Sequence, residues 1–367
     1  MGLNTANRLA RLRQKLTEKE LDGIFISQPE NRFYLSGFHG SAGYLFITVK
    51  DAILATDFRY IEQAKAQAPD YQVFRITGKL EEWFPRLTGE LNTRHLGFES
   101  EQVTFAFHHQ LTDILGKTGS KLQLVPVDGV VESIRTIKEP EEMALITQAA
   151  AISDRAFTHV TGKIHTGMTE KEVAWEIEKF MREHDSQPVP FELIVAAGPN
   201  SALPHARPSL HPIKAGEPVV IDIGARVGGY ASDLTRTICL DKPDDTFKKV
   251  YDIVLGAQLA ALALIKEGMT GDMADSLART VIEEAGYGEA FGHALGHGVG
   301  LAPHEPPRLG PNSTEVLTSS MVFTVEPGIY LPGWGGVRIE DLVVIDNGQL
   351  KVLSKASKKD PDIIGAT

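Results

Sequence analysis

Apolar residues recur at helical spacing at the start of the chain, where Leu9, Leu12 and Leu16 form one stripe of an amphipathic helix. The pattern then shortens to strand-like runs rich in branched and aromatic residues. These are Gly23 to Ile26, Tyr44 to Val49, Ala52 to Thr56 and Tyr71 to Ile76, with Leu122 to Val127 as the last. Asp57 is placed to cap a helix running through Tyr60, Ile61 and Ala64. Together they predict an α/β domain over residues 1–132, with no metal-ligand spacing and no phosphate loop in it. The polar stretch 133–140 ends at Pro140 and reads as a linker. Beyond it the pattern predicts a helix from Glu141 to about Val160, a second helix, and strands at Leu193 to Ala197 and Val219 to Gly224. Helices over about 244–267 and 271–286 and a β-rich tail from His293 complete a second domain, 141–367. No repeat of solenoid length is visible.

Composition narrows the classes. At 367 residues the chain exceeds one typical core, which fits two domains. Apolar residues at 42% and charged residues at 23% describe an ordinary globular chain rather than a disordered one. Lys and Arg total 37 against 48 Asp and Glu, a net charge of −11, so neither nucleic acid nor an anionic membrane is an expected partner. No apolar stretch approaches the roughly 20 residues of a membrane span. The N-terminal helix lacks the apolar core of a secretory signal, so a cytoplasmic location is expected. The one cysteine, Cys239, cannot form an intrachain disulfide. Its apolar run, residues 237–240, favours a small packing residue over a nucleophile.

The candidate chemistry lies where acids interrupt apolar strands. Asp222 sits in Val219-Val220-Ile221-Asp222-Ile223, and a carboxylate there costs several kcal/mol, roughly, unless compensated. Asp233 opens a second strand pattern, and Arg226-Val227-Gly228-Gly229 between them suits a hairpin loop. If those four residues form the loop, Asp222 and Asp233 stand directly opposite on one face. Like charges so placed repel unless a cation lies between them. The bland alternative pairs one Asp with Arg236 and leaves the other solvated. Glu326 and Glu340 again interrupt strand patterns, Val322 to Tyr330 and Gly336 to Leu342. Alternation puts Arg338 on the face of Glu340 and Asp341 on the other, which makes Arg338 a candidate orienter.

Between these acids, His293, His297 and His304 fall within twelve residues, among glycines that permit close backbone approach. A lone histidine is more often a satisfied core residue than a ligand; three together point to a site. A phosphate-binding loop is disfavoured because no Walker-type ending follows. Four carboxylates and one imidazole suit two divalent ions that prefer oxygen, Mn²⁺ ahead of Zn²⁺ with Co²⁺ a further option, and the absence of cysteine argues against structural zinc.

The ordered set Asp222, Asp233, His297, Glu326 and Glu340 resembles the metal-binding set of the pita-bread metallopeptidases, and within them the proline peptidases, aminopeptidase P and prolidase. Ser36-Gly37-Phe38 and Thr56 to Ala64 resemble their creatinase-type N-terminal domain. The resemblance covers almost the whole chain. It implies an α/β creatinase-type domain followed by an α+β pita-bread domain, and two metals that activate a water, Asp233 and Glu340 bridging them. It also implies that His293 and His304 line the substrate pocket and that His205 is the family's further histidine. The catalytic set so expected is His205, His293, His304, Glu326 and Arg338, with Glu326 moving the proton and His304 facing the oxyanion.

The expected reaction releases the N-terminal residue from Xaa-Pro peptides, from tripeptides and longer ahead of dipeptides. The alternative is an Xaa-Pro dipeptidase, in which Arg308 meets the substrate carboxylate; Arg308 can equally pair with Glu305 or face solvent. A homodimer is expected from the resemblance. Methionine aminopeptidase is disfavoured by the creatinase-like first domain. Creatinase would leave the ligand set unexplained, and a silent peptide-binding scaffold would be expected to lose ligands.

Overall fold

The computed structural model describes residues 4–358 and 362–363. The chain divides into two compact units, Met1–Arg135 and Thr136–Thr367. The first opens with α1 (Thr5–Glu18), whose Leu9, Leu12 and Leu16 are buried. Strands β1 (Gly23–Ile26), β2 (Tyr44–Thr48), β3 (Ala52–Thr56), β4 (Gln72–Arg75), β5 (His95–Glu99) and β6 (Gln123–Val127) form one mixed sheet ordered β4-β3-β2-β1-β5-β6. Helices α2 (Pro29–Ser36), α3 (Ile61–Gln67), α4 (Leu80–Glu90), α5 (Phe105–Lys117) and α6 (Glu132–Arg135) complete it. Phe25, Phe46 and Phe98 on the sheet meet Trp83, Phe84 and Leu87 of α4 and Leu111 of α5 in one core. Asp57 accepts from the Arg59 N–H at 2.9 Å, but what it caps is a single 3-10 turn, after which α3 begins.

The second unit is built as two sheets, each backed by a helix pair. Helix α7 (Pro140–Thr161) starts with proline at its first turn, where no N–H is needed, and with a capping box between Glu139 and Glu142. Helix α8 (Glu170–Glu183) starts with the box Thr169–Glu172. Both pack against β7 (Ile194–Ala197), β8 (Pro218–Ile223) and β11 (Leu234–Leu240), with β19 (Asp362–Ile363) parallel to β11. A small hairpin, β9 (Arg226–Val227) and β10 (Tyr230–Ala231), extends the β8–β11 pair. Helices α9 (Asp245–Leu264) and α10 (Gly271–Glu284) back the other sheet. It is ordered β13 (Glu305–Leu309), β12 (Gly296–Gly298), β14 (Val322–Val325), β17 (Asp341–Asp346), β18 (Gln349–Val352). A second hairpin joins β15 (Gly328–Leu331) to β16 (Gly335–Arg338).

Period-2 alternation decides what each strand shows the helices. Val219, Ile221 and Ile223 of β8 enter the core with α7 and α8, so Asp222 points to the other face. Phe323 and Val325 of β14 enter the core with α9 and α10, which turns Thr324 outward. Val337, Ile339 and Val343 do likewise, so Arg338 and Glu340 share the outer face while Asp341 is buried on the helix side. Cys239 is buried in the core behind the second sheet.

Two expectations need correcting. The hairpin turn is Gly228-Gly229 alone, both at positive φ (57° and 90°), the demand of a two-residue primed turn that only glycine meets without strain. The register therefore shifts by two, so Asp222 faces Thr235 and Asp233 is diagonal to it on the same face, just before β11. Glu326 and Glu340 also lie outside strands, in the breaks between β14 and β15 and between β16 and β17.

Candidate metal centre

These outward faces enclose a cavity of about 330 Å³ whose wall includes Asp222, Asp233, His297, Glu326 and Glu340. His205, His293, His304, Arg308 and Arg338 line it too, so every site residue expected from sequence reaches one place. Oxygens of Asp222, Asp233 and Glu340 lie within 4.8 Å of one another. Each ionised pair at that separation repels by on the order of 3 kcal/mol at the effective dielectric of a protein site. Three such pairs rival the stability of a whole domain. Burial pushes Asp233 well above the usual carboxylate range, and the charges of Glu340 and Asp222 push it further. Burial does the same to Glu340, with Glu326 and Asp222 adding to it. Asp222 is raised by burial, against the opposing pull of Arg338.

The backbone holds these acids in place. The Glu340 N–H donates to the Thr235 carbonyl at 3.0 Å, and its Oε2 accepts from the Thr235 hydroxyl at 2.6 Å. Its carbonyl accepts from Arg236. Arg236 pairs with Asp341 at 2.7 Å on the helix side, not with Asp222 or Asp233 as the bland alternative had it. Asp341 also takes Gln258 at 2.9 Å and Lys358 at 2.5 Å, so it belongs to the scaffold.

His297 stands in β12 between two glycines. A side chain at Gly296 would lie 2.0 Å from the Thr324 carbonyl, so only glycine lets the strands approach this closely. The His297 N–H donates to the Thr324 hydroxyl at 3.0 Å, and that hydroxyl donates to Glu326 at 2.9 Å. Nδ1 of His297 donates to the Gly298 carbonyl at 3.1 Å, which turns Nε2 towards Glu326 (3.2 Å) and Asp233 (3.9 Å). Burial depresses the His297 pKa but hydrogen bonding and charge from Glu326 outweigh it, so it is raised. Burial raises Glu326, yet its His297 partner prevails and holds it at about 2.

Arg338 is the buried cation of the site. It donates to Asp222 Oδ2 at 2.6 Å, to the Tyr330 hydroxyl at 2.9 Å and to the Pro204 carbonyl at 3.3 Å. Because Tyr330 accepts from Arg338, its own proton goes to His293 Nε2 at 2.9 Å, while His293 Nδ1 donates to the Ala294 carbonyl at 2.8 Å. That chain fixes the tautomer, and burial lowers the His293 pKa. His304 is pushed down to about 4, by desolvation and by His297, whose ring centroid lies 4.0 Å away.

Arg308 donates to the Pro311 carbonyl at 3.0 Å. Its alternative partner Glu305 is taken by Lys138 at 2.6 Å, so that pairing is overturned. Tyr330, Thr235 and Thr324 were not singled out from sequence. Tyr330 alternates with Gly328 opposite Arg338, and Thr235 comes into view only with the corrected register.

The donor set fits divalent metal. Asp222 Oδ1 is buried with no hydrogen-bond partner among the described residues, while Oδ2 is held by Arg338. Three converging carboxylates and a histidine aimed at them supply the neutralisable charge that oxygen-preferring cations require.

Two sheets with backing helix pairs thus enclose an acidic cluster suited to divalent metal. Residues 144–347 match Metallopeptidase family M24 and residues 8–137 match the Creatinase/Prolidase N-terminal domain. The chain belongs to metallopeptidase family M24, with a creatinase-type domain ahead of a pita-bread catalytic domain. It is 37% identical to an Xaa-Pro dipeptidase of Pyrococcus furiosus, over 96% of this chain and 99% of that one. A solved Xaa-Pro dipeptidase from Bacillus anthracis superposes with a TM-score of 0.94 at 40% identity, covering 99% of this chain and 100% of its own. An X-Pro aminopeptidase from Thermotoga maritima gives 0.88 at 37% identity, covering 98% and 99%. Divalent metals are therefore part of its chemistry. No helix among the described residues is long and apolar enough to cross a membrane.

Proposed function

We propose that this chain hydrolyses the peptide bond before proline in short peptides, releasing the residue ahead of it. The observation that carries this reading is the convergence of Asp222, Asp233, His297, Glu326 and Glu340 in one small-ligand-sized cavity. The proline preference is supported by what the similar proteins are named for. Asp222, Asp233 and Glu340, with His297 and Glu326 beside them, would hold two divalent ions, Mn²⁺ first among the candidates, then Co²⁺ or Zn²⁺. Bound there, the ions supply Lewis acidity and acidify water.

The protein's own groups do the rest. Arg338 anchors Asp222, and through Tyr330 and His293 it sets the opposite wall. Glu326 accepts the proton of the attacking water and delivers it to the proline nitrogen, which as a tertiary amide carries none of its own. His304 donates an N–H to the developing oxyanion, and His205 orients the scissile amide. The domains take the limits 1–132 and 141–367 with 133–140 between them, the working form is a homodimer, and the location is cytoplasmic. Light scattering should give twice the 40.1 kDa chain mass; only the single-chain mass at working concentration would remove the dimer.

Substrate length turns on Arg308. The resemblance of residues 56–64 supports tripeptides and longer substrates. Arg308 supports an Xaa-Pro dipeptidase instead, because it lines the cavity and no carboxylate pairs with its guanidinium among the described residues. A guanidinium–carboxylate contact is worth about 1.5–3 kcal/mol. Under the dipeptidase reading, Arg308→Ala lowers kcat/KM for Ala-Pro by about 10–100-fold and leaves Ala-Pro-Ala nearly unchanged. A parent that prefers Ala-Pro-Ala, and a variant that keeps that preference, would return the assignment to the aminopeptidase.

A further inference from the structure

The connection that carries His205 runs from Ala197, at the end of β7, to Ser209, and both of its ends converge on one side chain. Glu170, the first residue of α8, is fully buried. Its Oε1 accepts from the Ala197 N–H at 2.8 Å and from the Asn200 side-chain amide at 3.0 Å. Its Oε2 accepts from the Ser209 N–H at 2.9 Å and the Ser209 hydroxyl at 2.6 Å. Four donors matched to four lone-pair sites satisfy the buried carboxylate without a cation. The far end has backbone support too, since Lys171 N–H donates to the Ser209 carbonyl at 3.1 Å. Among the described residues, the Glu170 carboxylate is the side-chain group that accepts from both ends, at Ala197 and at Ser209.

Between the ends the near half of the loop is pinned and the far half is held more lightly. Ser201 is buried, and its hydroxyl accepts from the Gly336 N–H at 2.8 Å and donates to the Gly198 carbonyl at 2.6 Å. Beyond it Leu203 and His205 are exposed, while Ala206 is buried in a minor cluster with Ile194 and Ala196. Arg338 reaches the Pro204 carbonyl at 3.3 Å, and Arg207 pairs with Glu192 at 3.0 Å on the surface. The placement of His205 at the cavity wall therefore depends on where the far end, at Ser209, is fixed as well as on these ties.

We propose that Glu170 is a positioning residue for the peptidase reaction: its carboxylate clamps both ends of the 197–209 loop and so holds His205 against the substrate. This rests on the role assigned to His205 above. Glutamine at 170 keeps the volume but turns an amide donor towards donors, which releases one end of the loop. Displacing a substrate-positioning group by about 1 Å costs up to about 10²-fold in rate.

The test is a double-mutant cycle on the metal-loaded full chain, reading kcat/KM for Ala-Pro and Ala-Pro-Ala together with bound metal. Glu170→Gln should lower kcat/KM about 10–100-fold with metal content as in the parent. In the His205→Ala background the same change should add less than about twofold, because the group it positions is gone. Ser209→Ala, which removes only one of the four donors, should give a smaller loss with the same dependence on His205. It carries the test if Glu170→Gln folds poorly. Equal losses in both backgrounds, or an unaffected Glu170→Gln, would overturn the clamp alone. An unimpaired His205→Ala variant would overturn the His205 assignment and the clamp with it.

Discussion

Asp233→Asn abolishes turnover in a chain that remains folded. Asp233 is buried, lies within 4.8 Å of both Asp222 and Glu340, and is 3.9 Å from His297 Nε2, so it touches both parts of the acidic cluster. The amide keeps the shape but removes the charge that would hold a cation. The loss of activity should be far larger than the roughly 10–100-fold that accompanies changes in outer partners of a metal. Bound metal measured by elemental analysis should fall with it. The metal-free variant should melt no lower than the metal-free parent, because one of three mutually repelling acids has been neutralised. Full activity in the variant, or in chelated parent, defeats the metal-dependent account. A lowered melting point in the metal-free state would show that Asp233 serves the fold instead.

His304→Ala separates catalysis from ligation. His304 lines the cavity beside His297, yet it is not one of the groups converging on Asp222, Asp233 and Glu340. Removing one oxyanion donor costs about 10²–10³ in kcat. The variant should show that loss with its metal content intact and its substrate affinity little changed. Loss of metal would make His304 a ligand or a support for one.

Much of the fold was legible because alternation and capping are local. The run Val219-Val220-Ile221-Asp222-Ile223 shows by itself which side of β8 is apolar, and Asp57 marks the capped turn that leads into α3. What lay beyond sequence was register and termination. Whether a hairpin turns on four residues or on Gly228-Gly229 alone depends on backbone twist, and the choice moved Asp233 from opposite Asp222 to its diagonal. Strand ends at Glu326 and Glu340 were hidden for a related reason, since face alternation carries through the breaks and leaves the pattern intact. The same continuity let Arg338 and Glu340 be placed on one face correctly. Tyr330 and Glu170 were invisible because their partners are remote: a tyrosine in an apolar strand and a glutamate in a capping turn are ordinary until Arg338, His293 and Ser209 arrive beside them.

The central claim is metal-dependent cleavage before proline. Its most direct test is a mass-spectrometric readout of a mixed peptide panel incubated with the chelated protein and then with the same protein resupplied with single divalent ions. The account predicts no cleavage after chelation and restoration by Mn²⁺ ahead of Zn²⁺. It also predicts that the restored cuts fall only between the first residue and a proline in second position. Cleavage by the stripped protein, or restored cleavage that ignores proline, would contradict it.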